Sequence, residues 1–365
     1  MYRYPIAVDI GNDAIHVAQL GESKKGFFLR GFASVSIDNT TPWDDESARL
    51  VKGFLNKTLK ESKFTGKKVV IHIPPKCLSS FPLNFQVKKD ETIDQIIAGE
   101  SKSYISYPLE DTIIDYPSLL DLPTGEEKRY RAIIVTTRKS FVESYVKVIK
   151  KSGLNIVAID YDVNSLIRLH THLTGETKHP VILCNIDKSQ TIICAVSDKG
   201  ILVERHIPWG IKYINERLRK NLDISNDNFK TSRLLMEYGV SYGKMLDDSN
   251  TALKSEDEIH RTMRKAVHQI IFPYLEEIID EIHKVTAYLR SDIISAVIKK
   301  VYLYGLTGAV RNMDYFIEKN LNIQVQTVNP TTGFDTLTNP NKISLQEDTP
   351  AALALGLALR GGECP

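Results

Sequence analysis

The sequence of 365 residues contains no run of 18 apolar residues, which excludes a membrane-spanning helix from its pattern. Its opening, Met1-Tyr-Arg-Tyr-Pro5, lacks the apolar centre of a secretory signal, and Gly361 to Pro365 is too short a piece for an amphipathic anchor. Cysteine is scarce. Cys77, Cys184, Cys194 and Cys364 include no Cys-x-x-Cys pair, and no histidine cluster joins them at zinc spacing. That excludes a disulfide framework and indicates a reducing compartment. Cys184 and Cys194 fall inside apolar strand patterns and read as small buried hydrophobes. An excess of one charge is missing too, since the net charge is +2. The bulk balance therefore gives no electrostatic footprint for nucleic acid. Lys67-Lys68, Lys88-Lys89 and Lys299-Lys300 are short, scattered pairs and read as solvated surface.

What is present is ordinary for a water-exposed globular protein, with 42% apolar and 25% charged residues. The length suits two lobes better than one core. Residues 5–10, 15–20 and 27–37 read as three strands joined by turns at Gly11-Asn12-Asp13 and at 21–26. A helix over about 45–60 and a buried strand over 69–73 follow, stopped by Pro74-Pro75. From Phe85 the pattern becomes a small α/β unit: helical spacing at Ile93, Ile96 and Ile97, strands at 113–116 and 132–136, and a helix over 140–151 closed by Gly153. A strand at 157–161 and a helix at 164–172 come next.

At Pro180 the opening recurs. Strands at 181–186, 191–196 and 201–207 are separated by Asp187-Lys188-Ser189 and by 197–200, about 175 residues after the first copy. The repeat indicates a duplicated fold, against the plainer alternative of two unrelated meanders. Helices over 211–220 and 228–238 and a polar segment over 247–257 lead to a long helix. Its apolar stripe runs from Ile270 to Leu289 and reads as core packing, with Pro273 expected to kink it or mark a fresh start. A strand at 301–304, a Gly-loop at 305–308, a helix at 312–320, a strand at 323–328 and a closing helix at 349–360 complete the pattern, with Pro350 in the helix's first turn.

Paired hairpins of this kind are the layout of the actin-like nucleotide-binding fold. There each turn offers backbone N–H groups to phosphates, and an acid before it holds a metal-bound water. The first hairpin, Asp9-Ile-Gly-Asn-Asp13, fits, with Asp9 the acid, reaching magnesium through water, and Gly11 the close-approach residue beside Asn12 and Asp13. In isolation Asp-x-Gly is also a plain turn. The second, Asn185-Ile-Asp-Lys-Ser189, puts Asn185 at the acid's place and Asp187 at the glycine's. A carboxylate ~4 Å from a phosphate charge costs about 4 kcal/mol at an effective dielectric near 20, roughly a thousandfold in affinity. Magnesium or Lys188 would offset part of this. Gly305-Leu-Thr307-Gly308 reads either as an adenosine loop or as tight strand-to-helix packing.

The order and spacing of these pieces resemble the PilM family of type IV pilus assembly over the whole chain. Asp9 to Leu20 resembles the family's first phosphate segment, with His16 where a lysine is usual. Ile73-Pro-Pro and Phe81-Pro-Leu83 resemble the exit into the inserted subdomain shared with the FtsA family, and Glu100 to Pro108 with Asp115-Tyr116 resemble its helix and strand. Val157-Ala-Ile-Asp160 with Leu166-Ile-Arg168 resembles the return to the first lobe. Ile207-Pro208 with Gly210 resembles the segment after the second hairpin. Glu281-Ile282, Tyr288 and Ser291 resemble the long helix, and Thr349 to Arg360 the closing helix. Departures accumulate at the nucleotide elements. Ser232 and Leu235 stand where a Glu and a Lys are usual, and Leu306-Thr307 interrupts a usual run of glycines.

The resemblance implies a two-lobed actin-like ATPase fold with an inserted FtsA-type α/β subdomain. The first lobe would be 1–83 and 158–178 with closing helix 349–361, the insert 84–157, and the second lobe 179–348 with a mostly helical part over 211–299. It implies a cytoplasmic adaptor held at the inner membrane by its partners, in contact with the pilus motor. The adaptor would bind the N-terminal peptide of a PilN-like bitopic protein in a groove between first lobe and insert, where Pro82, Leu83 and Phe85 lie at the boundary with core packing as their alternative role. ATP with magnesium remains open as a ligand of the eroded site. The competing readings are an active actin-like ATPase or fold-related kinase, for which no convincing carboxylate base is found, and the cytoplasmic part of a type II secretion assembly protein, which would continue into a membrane span.

Overall fold

The computed structural model describes residues 4–363 except 25, 38–44, 62–63, 89, 123–127, 176–178, 225–227, 241–257, 292–296 and 337–350. The polar segment over 247–257 and the first residues of the closing helix, Thr349 and Pro350, lie outside these. The chain divides into two units, residues 1–178, 196–203 and 330–365, and residues 179–195 and 204–329.

The first unit opens with β1 (Ile6–Ile10), β2 (Ala14–Ser23) and β3 (Gly26–Ser36), then α1 (Asp45–Glu61) and β4 (Lys68–His72). β5 (Leu78–Gln86), α2 (Ile93–Glu100), β6 (Thr112–Leu122), β7 (Arg129–Arg138) and α3 (Lys139–Lys151) follow, then β8 (Asn155–Asp160) and α4 (Asp162–Thr174). Six strands form one sheet, in which β2 and β1 pair antiparallel while β1, β4 and β8 run parallel and β8 is the free edge. A parallel core needs cover on both faces, and the all-apolar registers of β1 and β4 supply it with two apolar surfaces. Ile6, Val8 and Ile71 pack with Leu55 of α1 and Tyr145 and Ile149 of α3.

β5, β7 and β6 form a separate antiparallel sheet with β7 in the middle. Leu83, Phe85, Ala132 and Ile134 bury one face under Ile97 of α2. The sequence pattern assigns no element to 78–84, yet β5 runs through Pro82. The edge position resolves this, since an edge strand tolerates a missing N–H. β6 is the other edge and carries a bulge between Asp115 and Ser118.

The second unit carries β9 (Val181–Ile186), with β10 (Thr191–Ser197) and β11 (Gly200–Ile207) beside it in a sheet of order β11-β10-β9-β12-β13. The tip of that hairpin, 196–203, groups with the first unit, where Ser118 Oγ accepts the Ile201 N–H at 2.9 Å and donates to the Ile201 carbonyl at 3.1 Å. α5 (Ile211–Asn221), α6 (Asn228–Glu237) and α7 (Glu258–Ser291) precede β12 (Lys300–Gly305), α8 (Met313–Leu321) and β13 (Gln324–Thr327). α7 runs unbroken through Pro273. Pro273 and Gln269, whose carbonyl it leaves without an intrahelical donor, are both exposed, so solvent can meet that carbonyl. Val267, Ile271, Leu275, Ile278, Ile282, Val285 and Leu289 bury the opposite stripe.

The chain returns to the first unit with β14 (Asp335–Thr336), which pairs parallel with β3, and α9 (Ala352–Arg360). α9 packs on β1, β2, β4 and α4. Its residues from Ala352 to Leu359 are all buried, and the small ones let it approach closely. A Cβ on Gly356 would stand 1.9 Å from the Ser165 carbonyl oxygen, so α4 and α9 touch backbone to backbone there. Among the described residues no helix is long and apolar enough to cross a membrane.

Gly356→Ala is expected to lower unfolding free energy by about 2 kcal/mol or more, because neither backbone can give way to the methyl group. Urea denaturation measures it, and a change under about 0.5 kcal/mol, the usual range for an unconstrained surface site, would show that the helices are not this close.

Candidate functional site

Asp9 leaves β1 just before the turn that Gly11 closes, its N–H donating to the Ala14 carbonyl at 2.9 Å. The carboxylate is buried, and its Oδ1 lies 2.9 Å from Nδ1 of His72 at the end of β4. On the other side of the ring, Nε2 lies 2.7 Å from Oγ of Ser165 on α4. The carboxylate can only accept, so His72 Nδ1 donates to it. Burial alone would push the Asp9 carboxyl up. The His72 charge and hydrogen bond, with a smaller effect from His16 opposite it in β2, overcome this and hold it below the usual range. Burial alone would lower His72, and Asp9, with Asp160 and Asp162 behind it, raises it instead. Asp, His and Ser in a row are the parts of a nucleophilic relay, but Ser165 is wholly buried with its backbone against Gly356, so no substrate reaches its hydroxyl. The row is a structural tie across β1, β4 and α4.

The second hairpin is tied differently. Asp187 Oδ1 accepts the N–H of Lys188 at 2.7 Å, and the Asp187 N–H closes the turn onto Gln190 at 2.9 Å. The first amides of α5 reach back, Ile211 to the Asp187 carbonyl at 3.0 Å and Lys212 to the Lys188 carbonyl at 2.9 Å. Gly210 makes the approach possible, as a Cβ there would lie 2.1 Å from the Asp187 carbonyl oxygen. At the end of β12, Gly305 adopts φ +76° and lies over Ile186, whose carbonyl oxygen would be 2.2 Å from a Cβ. That approach explains the glycine by packing. Gly308 lies in the short 3-10 turn Leu306–Ala309 that follows. Asn185 and Thr307 are buried, and Asn185 Oδ1 and Thr307 Oγ1 have no hydrogen-bond partner among the described residues.

A third feature lies wholly in the first unit. Between the end of β8 and strand β6 opens a cavity of about 190 Å³. Ile73, Leu78, Pro117, Val135, Val142 and Tyr161 contribute apolar lining, and Ile113 and Ile159 stand at its mouth, 38% and 40% exposed. Asp115 and Asp160 supply carboxylates. Asp160 also holds Arg168 at 3.0 Å, and Arg360 lies 3.9 Å away. β6 and β8 are both sheet edges, so each carries backbone donors and acceptors that its own sheet leaves unpaired.

Of the two roles open to Pro82, Leu83 and Phe85, core packing describes Leu83 and Phe85. Leu83 and Phe85 point into the core beneath α2, and Pro82 is exposed on β5, the edge opposite β6, so none of the three lines the cavity. The alternation of β5 decides this, sending residues 83 and 85 to the α2 face. The expectation also passed over His72, Ser165, Ile113 and Ile159. The signal for His72 was legible, as a lone polar side chain in an apolar strand must find a buried partner. Asn12 and Asp13 stay in the first turn, where the Asp13 carbonyl accepts the Ile37 N–H at 2.8 Å.

The model of the family described as type IV pilus assembly protein PilM matches residues 7–248 and 240–362. Among solved structures, the chain is similar to one described as the PilM-PilN type IV pilus biogenesis complex, at 18% identity and TM-score 0.73, covering 98% of each chain. It is also similar to the ethanolamine utilization protein EutJ from Carboxydothermus hydrogenoformans, at 12% identity and TM-score 0.52, covering 98% of this chain and 89% of that one. The fold is the mixed α/β fold of the actin-like ATPases.

The buried pair generates a pH prediction. Asp9 is lowered on folding, so its contribution is lost as pH falls through its folded value. His72 is raised, so its contribution is lost as pH rises through its folded value. The pair stabilises most between the ordinary values of about 3.9 and 6.5. His72→Gln is expected to cost about 3 kcal/mol at pH 6, because Asp9 keeps a buried charge without its partner. The wild-type melting temperature should fall more steeply than the variant's between pH 6 and pH 9, and parallel profiles would refute the pairing.

Proposed function

The chain belongs to the PilM family of type IV pilus assembly proteins, and from that premise we propose that it is an adaptor that captures an extended peptide from a PilN-like inner-membrane protein. The observation that carries the reading is the cavity between two free strand edges, β6 and β8, with exposed Ile113 and Ile159 at its mouth. A peptide laid along either edge gains main-chain hydrogen bonds, and alternate side chains drop into apolar pockets. The solved structure described as a PilM-PilN complex supports the partner. The exposed carboxylate of Asp115 favours a segment that carries a basic residue beside its apolar ones.

On this reading the first lobe and the inserted subdomain act together, with β5 to β7 as the insert's sheet. The chain works in the cytoplasm and reaches the inner membrane through its partner, where it serves as a platform that also faces the pilus motor. Its nucleotide elements are eroded and the adaptor does not depend on hydrolysis. The departures at Asn185, Asp187, Ser232, Leu235 and Leu306-Thr307 support that part.

Fluorescence anisotropy with the N-terminal peptide of the PilN-like protein tests the reading. Ile159→Asp and Ile113→Asp change exposed positions and should leave folding intact. Each is expected to weaken binding about tenfold or more, the equivalent of unburying an isoleucine against the peptide. Binding equal to wild type in both variants would overturn the groove.

A further inference from the structure

The actin-like fold that the hairpins belong to asks two things of them: a carboxylate free to accept a metal-bound water, and turn N–H groups free to meet phosphate oxygens. In this chain those groups have partners of their own. Asp9 Oδ1 receives the Nδ1–H of His72 at 2.9 Å, in a setting where Asp9, His72 and Ser165 are all buried. The imidazole delivers to Asp9 what a metal-bound water would deliver, a hydrogen bond into the carboxylate. In the other unit, the Lys188 N–H meets a carboxylate oxygen at 2.7 Å, as it would meet a phosphate oxygen, and the carboxylate is that of Asp187.

The second tie is rigid for a geometric reason. The Asp187 carbonyl and the Lys188 N–H belong to one planar peptide unit. Its carbonyl end is held by Ile211 at 3.0 Å and its N–H end by the Asp187 side chain. Freeing the N–H therefore requires the side chain to leave, and a phosphate arriving nearby would still meet its charge. The residues present do not fit a magnesium nucleotide.

We propose that His72 and Asp187 are internal substitutes, His72 for the metal at the first hairpin and Asp187 for the phosphate at the second. Each hairpin is then held by its own unit's side chains where a ligand would otherwise hold it. This deepens the eroded-site part of the proposed function and does not involve the peptide groove.

Isothermal titration of the full chain with Mg-ATP provides the test, on wild type, Asp187→Gly and Asp187→Asn. Wild type is expected to bind no tighter than millimolar. Asp187→Gly is expected to bind about a hundredfold tighter or better, because the carboxylate that costs roughly a thousandfold near a phosphate is gone. Asp187→Asn should fall between, since its amide oxygen still caps Lys188 without the charge. His72 is read in the wild-type chain, where substitution cannot confuse folding with binding. Its ring ¹⁵N resonances should report an Nδ1–H donor and stay unmoved by Mg-ATP. Micromolar binding by wild type, an Asp187→Gly chain no tighter than wild type, or His72 resonances that shift with Mg-ATP would overturn the proposal. Peptide anisotropy on the same samples keeps the two readings apart: lost peptide binding with silent Mg-ATP titrations refutes the adaptor alone, and intact peptide binding with micromolar Mg-ATP refutes the substitutes alone.

Discussion

The Asp9-His72-Ser165 row is the constraint on which the first unit depends. It joins the two central parallel strands, β1 and β4, to α4 at the ends where their side chains stop being apolar. Two charges in such a place are tolerable only when each is the other's partner, and removing either leaves the other stranded at a cost of several kcal/mol. Ser165 carries the constraint outward, because its carbonyl lies where a Cβ on Gly356 would have to be, which fixes α9 against α4. Tyr145 adds a hydrogen bond from α3 to the His72 carbonyl at 2.9 Å. Four elements and both faces of the sheet therefore meet at His72.

That tie sets the geometry of the groove. Among the described residues β8 pairs with β4 alone, in parallel register from Lys68 opposite Asn155 to His72 opposite Asp160. The residue that anchors β4 is thus the register partner of Asp160, which lines the cavity and is itself held by Arg168. On the proposed reading, the edge offered to a peptide is preorganised by a buried polar contact, so a docking segment spends little ordering energy on the protein side. The same contact uses the carboxylate that a nucleotide would need. On the proposed reading, His72 at the end of an apolar stretch of β4 both supports the docking edge and occupies the Asp9 carboxylate.

Much of this was legible in the sequence, and the reasons for the remainder are physical. The duplicated hairpins and the small α/β block after Phe85 announced themselves through strand-length apolar runs punctuated by Gly, Asp and Asn. The departure at Asp187 was readable because the residue itself is a carboxylate where the resemblance leads one to expect a glycine. Its hydrogen bond to Lys188 was not, since only backbone coordinates show which N–H it caps. His72 was visible as an anomaly, but its partner lies 63 residues away in sequence. Strand β5 was not read from the sequence; it contains Pro82, which an edge position tolerates. Which strand edge lies beside the cavity was not legible, because β5 and β6 are opposite edges of one sheet and strand order is a long-range property.

The central claim is that the chain works by adding a partner segment to an edge strand. Hydrogen–deuterium exchange over 155–160 and 112–122, with and without the N-terminal peptide of the PilN-like protein, tests it most directly. The account predicts that amides of β8 or β6 become strongly protected when the peptide binds, while those of residues 81–86, the part of β5 that does not line the cavity, keep their rates. Peptide binding that protects other segments and leaves both β6 and β8 unchanged would contradict it.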